Sequence, residues 1–208
     1  MRQQNLDMLC TDNYLQEKIR HVIKAVFKST PPQRFLWTEK TIAPVQELVP
    51  ATHLPFRDRT IEVQFQEEAK AILASKIPDA IFNVIDDSAG YTWGHACALE
   101  AYDPSTQITY VLLYCGYYPI ATLRPCTYPG YGEGMDHEWN FKLSDKAILN
   151  QMNINLKELE TSFEYLFASY NYCFKKSEAE LFQHRIRINP FRSYEIWDFL
   201  FYIGIGYG

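Results

Sequence analysis

The stretch from Tyr91 to Tyr118, YTWGHACALEAYDPSTQITYVLLYCGYY, constrains the fold more than any other part of the chain. Side chains of an extended strand alternate between its faces, so Trp93, His95, Cys97, Leu99 and Ala101 fall on one side of the first run. Asp103-Pro104-Ser105-Thr106 then supplies a turn, because Asp bonds its own backbone and Pro presets φ. The second run, Gln107 to Tyr118, is rich in β-branched and aromatic residues, and from Tyr110 to Cys115 it lacks polar alternation. A strand wetted on one face alternates. The unbroken run therefore predicts a strand covered on both faces, in an antiparallel hairpin at the centre of a sheet.

Elements on either side fit that centre. Thr11 and Asp12 can cap a helix to about Lys28, whose stripe is Leu15, Ile19, Val22, Ile23, Val26 and Phe27. The segment Gln33–Arg59, with Pro44, Pro50 and Pro55, carries little periodicity. Thr60 can cap a second helix through about Ser75, with Phe65, Ala69, Ile72 and Leu73 on one face. Ala80 to Ile85 reads as a buried strand stopped by Asp86-Asp87-Ser88-Ala89-Gly90. Pro119 interrupts backbone donation, so Ile120 to Arg124 is a new or bent strand, and Pro125 to Gly134 reads as an irregular loop. Glu138 to Leu143 can form one further strand. A helix starts at Asn155, with Glu158 as its capping partner and an apolar face from Leu156 to Phe174. Ser177 and Glu180 repeat the capping logic. His184 to Asn189 alternates like an edge strand, and Ser193 can cap a last aromatic helix. The class is α+β: one domain over residues 1–208, with a central, mainly antiparallel sheet and N- and C-terminal helices packed on it.

At 208 residues the chain suits a single core. Its formal net charge of −5 does not favour nucleic-acid binding by counterion release. Five cysteines in wide spacing, without a CxxC pair, argue against a disulfide framework and for a reducing compartment. The N-terminal sixteen residues hold no continuous apolar run, and nothing approaches the length that spans a bilayer. A cytoplasmic location, with no membrane partner, is the expectation.

No chemical motif of high specificity stands in the sequence. His95-Ala96-Cys97 with Pro125-Cys126 downstream is similar to the zinc nucleoside-deaminase pattern, H-x-E and then P-C-x-x-C. The similarity implies ligands His95, Cys97 and Cys126. However, Cys97 replaces the proton-shuttling glutamate and Pro129 the second cysteine of the pair. A thiol nucleophile needs a base beside it, and Cys126, in the expected loop, is the best candidate, with His95 or His137 as base. Asp136-His137-Glu138 are ligand-type residues, but neighbours in an extended chain point oppositely and cannot all hold one ion. One alternative is therefore a cysteine- or metal-dependent hydrolase or deaminase-like enzyme near His95, Cys126, Asp136 and His137.

The remaining feature is acidic and aromatic. Asp86, Asp87, Glu133, Asp136 and Glu138 lie in expected loops with Tyr91, Trp93, Tyr128, Tyr131 and Trp139. Eight of the 15 tyrosines lie in or just after the hairpin, which suits either a partner-covered surface or a thick aromatic core. Tyr and Trp anchor protein interfaces, and carboxylates can fill a basic cleft in place of phosphate. In general character such a chain resembles the immunity proteins that bacteria make against polymorphic or contact-delivered toxins. The class analogy implies a cognate basic protein as partner, no cofactor, no metal and no catalytic set. The aromatic tail from Ile196 to Gly208 is a second candidate surface, for a copy of the same chain.

Overall fold

A strand whose two neighbours satisfy its backbone can bury both faces, and Ile108–Cys115 does so. In a computed structural model all eight of its residues are buried. The described residues are 10, 11, 13, 14, 16, 17, 20, 21, 56, 58–85, 96–115, 119–127, 155–176, 185–189 and 192–195. In chain order they form helix α1 (Arg59–Lys76), strands β1 (Ile81–Ile85), β2 (Ala96–Asp103), β3 (Ile108–Cys115) and β4 (Ile120–Thr127), and helix α2 (Leu156–Ser169). Strands β5 (Cys173–Phe174), β6 (Arg185–Asn189) and β7 (Arg192–Glu195) follow. A five-stranded sheet has the order β1-β2-β3-β4-β5; its pairs are antiparallel except β4 with β5. Strands β6 and β7 make a separate antiparallel pair. The fold is α+β, with two helices on a mostly antiparallel sheet. Among the described residues no helix is long and apolar enough to cross a membrane.

The hairpin turn forms because Asp103 gathers it. Its carboxylate accepts from the Ser105 amide (2.9 Å) and hydroxyl (2.6 Å) and from the Thr106 hydroxyl (2.8 Å). Burial opposes that charge, yet these donors hold the carboxyl below its ordinary range. Register then sorts the side chains. Val84, Leu99, Leu112 and Leu123 lie in one row across four strands. That face packs against Phe65, Ala69 and Leu73 of α1 and Leu159, Phe163 and Phe167 of α2. Burying a Leu such as Leu112 contributes about 1.5–3 kcal/mol. Rings thicken the layer: Phe56 lies 4.4 Å from both Phe65 and Tyr172, and Phe65 lies 4.8 Å from Phe167, centroid to centroid. Tyr110 and Tyr114 are fully buried, so for these two tyrosines the aromatic-core reading holds.

Helix α1 starts at Asp58, whose carboxylate accepts from the Thr60 amide at 2.9 Å, so the cap is Asp58 and not Thr60. Helix α2 is capped by Asn155, which accepts from the Glu158 amide, as its spacing predicts. Lys76 bonds Glu158 and ties the end of α1 to the start of α2. Helix α2 ends earlier than its apolar stripe, and Phe174 belongs to β5. Asn171 adopts a left-handed φ of 59°. Its amide donates to Ala168 O at 3.1 Å and the Tyr172 amide to Phe167 O at 2.8 Å. This double bond pattern is a Schellman turn, with Tyr172 packed on Phe167. It throws the chain onto the sheet edge, where the Cys173 amide donates to Pro119 O and the Lys175 amide to Ala121 O.

Three further expectations change. Pro125, Cys126 and Thr127 are the end of β4, not a loop. Strand β5 pairs with β4 only at Ile120 and Ala121, so a residue without an N–H fits at position 125. Ser193 lies in β7 and caps no helix; β6 finds its partner there instead. Cys10 and Cys173 form a disulfide across a separation of 163 residues, their Cα atoms 5.4 Å apart. Wide spacing in sequence did not keep these two apart in space, so it no longer argues for a reducing compartment. The described residues between 13 and 21 are helical, as expected. The expected strand at Glu138–Leu143, the helix at Ser177 and the tail from Ile196 lie outside the described residues.

Because Asn171 holds a left-handed backbone, Asn171→Val is expected to cost about 1–2 kcal/mol, while Asn171→Gly is neutral or slightly stabilising. Urea unfolding midpoints of the two variants check this.

Candidate functional site

The ten residues expected to meet a partner are Asp86, Asp87, Tyr91, Trp93, Tyr128, Tyr131, Glu133, Asp136, Glu138 and Trp139. All lie outside the described residues, as do His95 and His137. The strands nevertheless fix where their segments are rooted. Ile85 pairs with Ala98 and Ala96 with Cys115, so 86–95 joins the sheet at the end holding Cys115. Thr127 pairs with Ile108, so the chain from 128 onward leaves at the opposite end. With eight residues in β2 and a rise of about 3.3 Å each, those ends are about 23 Å apart. The two acidic-aromatic groups thus have separate roots.

The same register decides the deaminase-like pattern. Cys97 pairs with Tyr114, and Cys126 pairs with Thr109. Five residues of β3 separate those rows, about 17 Å along the strand. Two thiolates on one zinc ion sit about 4 Å apart. The sheet therefore holds Cys97 and Cys126 too far apart to share a metal. Nor is Cys126 a reactive thiol. It is buried rather than in a loop, and burial, with the Glu100 carboxylate adding to it, pushes its pKa up to about 12. A thiol so raised is almost wholly protonated at neutral pH and a poor nucleophile. Cys115 is buried within β3, as its apolar run implies. Among the described residues no three His, Cys, Asp or Glu side chains are grouped to hold a metal ion.

The structure reveals polar groups that the strand and helix patterns passed over. Beneath α1, the Tyr114 hydroxyl accepts from Gln66 Nε2 at 2.8 Å and donates to Glu62 Oε1 at 3.1 Å. Arg59 binds the other oxygen of Glu62 at 2.9 Å. Glu62, Gln66 and Tyr114 are all buried. Glu62 and Gln66 stand on the stripe that continues through Ala69 and Leu73, a polar break that the sequence displays. On the other face of the sheet, Asn83, Glu100, Val111 and Arg124 form one row. Asn83 Nδ2 donates to Glu100 Oε2 at 3.0 Å. Thr109 and Thr122 point to that same face by register, and their buried hydroxyls have no hydrogen-bond partner among the described residues. These groups can orient and neutralise one another, but the row carries no activated nucleophile.

No family model, no curated protein and no solved structure matches the chain.

Two outcomes follow from these contacts. Tyr114→Phe strips Gln66 and Glu62 of a shared buried partner and is expected to cost about 1–3 kcal/mol in urea unfolding. Native protein at pH 8 is expected to leave Cys126 unlabelled by iodoacetamide, with labelling only after unfolding, as read by peptide mass.

Proposed function

We propose that the chain is a protein-binding inhibitor. It neutralises a cognate basic protein, a bacterial toxin of nuclease type, in the manner of an immunity protein acting in the cytoplasm. One observation carries this reading: Asp86 and Asp87 stand within seven residues of Tyr91 and Trp93, on a connection rooted in two paired strands. Carboxylates beside aromatic rings combine the charge that steers a basic partner with the rings that anchor it. The segment with Tyr128, Tyr131, Glu133, Asp136, Glu138 and Trp139 repeats the combination beyond β4. A net charge of −5 favours the same partner over nucleic acid. The buried, protonated Cys126 gives no support to the thiol-dependent form of the enzyme alternative.

Because the two segments are rooted at opposite ends of the sheet, charge reversal tests them separately. The pairs are Asp86→Lys with Asp87→Lys, and Asp136→Lys with Glu138→Lys, each measured against a basic nuclease-type partner captured by pull-down with the unaltered chain. At least one pair is expected to slow association about tenfold or more and to change its salt dependence. Unchanged affinity in both pairs rejects the reading.

A further inference from the structure

We propose that the Cys10–Cys173 bond is a redox clasp that holds the N-terminal segment on the sheet edge when oxidised and releases it when reduced. Tertiary structure alone brings these cysteines together, since 163 residues separate them. Cys173 sits in β5, the two-residue strand at the edge of the sheet, and is buried. Cys10 precedes the helical residues of the N-terminal segment and is only half-buried. A second contact crosses the same joint: the Lys175 ammonium donates to the Cys10 carbonyl. The clasp therefore joins two local elements, and neither α1, α2 nor strands β1 to β4 depend on it for their pairing or caps.

Burial of Cys173 directs an incoming thiolate to the sulfur of Cys10, with the Lys175 cation beside that residue favouring an anionic attacker. The attack forms a mixed disulfide on Cys10 and expels Cys173 as a thiolate. A second external thiol then displaces Cys10, so two thiols become one external disulfide and both cysteines end reduced. The reverse reaction closes the clasp with a low-molecular-weight disulfide such as oxidised glutathione as oxidant. In the cytoplasmic setting of the proposed function, an intracellular disulfide is characteristically a transient, redox-responsive one. The clasp itself does not depend on that setting.

The test uses the full chain in glutathione buffers of stepped ratio. Expected on oxidation are loss of two of the five thiols and a Cys10–Cys173 cross-linked peptide in the mass map. Trypsin cleavage at Arg20 is expected to run at least tenfold faster in the reduced protein, with far-ultraviolet circular dichroism nearly unchanged. Cys10→Ser and Cys173→Ser are expected to cleave at the fast rate in both buffers. A different cysteine pairing, five thiols after oxidation, or equal cleavage rates in the two states overturns the proposal. Global unfolding on reduction also overturns it, because the bond is then a staple for the whole fold and not a local clasp.

Discussion

The structure depends on the double-sided burial of β3. Each of its backbone polar groups must find a partner in β2 or β4, since no water reaches them. That demand fixes three strands in register over almost their full length. It also forces two covered faces. One is closed by α1 and α2 through a dense set of rings. The other is buried as well, and there the sheet sets Glu100, Thr109 and Thr122 among the apolar Ala98, Val111, Leu113 and Cys126. At Tyr114, whose phenol comes inward beneath α1, the helix answers with Gln66 and Glu62 at successive turns. A buried polar tip demands partners, and the helix supplies them at a cost in apolar area.

The end of α2 has consequences at a distance. The Schellman turn at Asn171 lets the chain drop directly from a helix onto the sheet edge. Tyr172 then fills the core and donates its hydroxyl to Cys115 O at 2.9 Å, while Cys173 pairs beside Ile120. The N-terminal segment meets the fold at that residue. One left-handed backbone position thus couples a helix end, the fifth strand and the disulfide. The acidic connection 86–95 and the segment beyond β4 are rooted at opposite ends of the sheet, so a partner that engages both must span its length.

Much of the architecture was legible because it rests on short-range rules. The apolar run at Tyr110–Cys115, the turn residues Asp103 to Thr106 and the cap pair Asn155 and Glu158 each impose local geometry, and each stands where its pattern places it. The misreadings have a common origin. Pro125 looked like a loop residue because local preference disfavours it in a strand, yet at a sheet edge it loses nothing. Phe174 kept helical spacing with Phe163 and Phe167, and it stacks on both rings from β5 at 6.3 and 5.7 Å. Periodicity records which side chains share a core, not which element carries them. Glu62 and Gln66 were visible as polar breaks in a buried stripe, but their reason lies 48 and more residues away, in Tyr114.

By itself the sequence determined the α+β class, the central hairpin, the main helix and the acidic, aromatic character of two connecting segments. Those follow from side-chain alternation, capping and charge, which act within a few residues. Only the tertiary structure decided that Cys97 and Cys126 lie on distant rows, that Cys126 is buried and protonated, that the two acidic segments are rooted apart, and that Cys10 meets Cys173. Each of these turns on which strand pairs with which and in what register. Register is set by the summed burial of a whole sheet, and no single residue or motif encodes it.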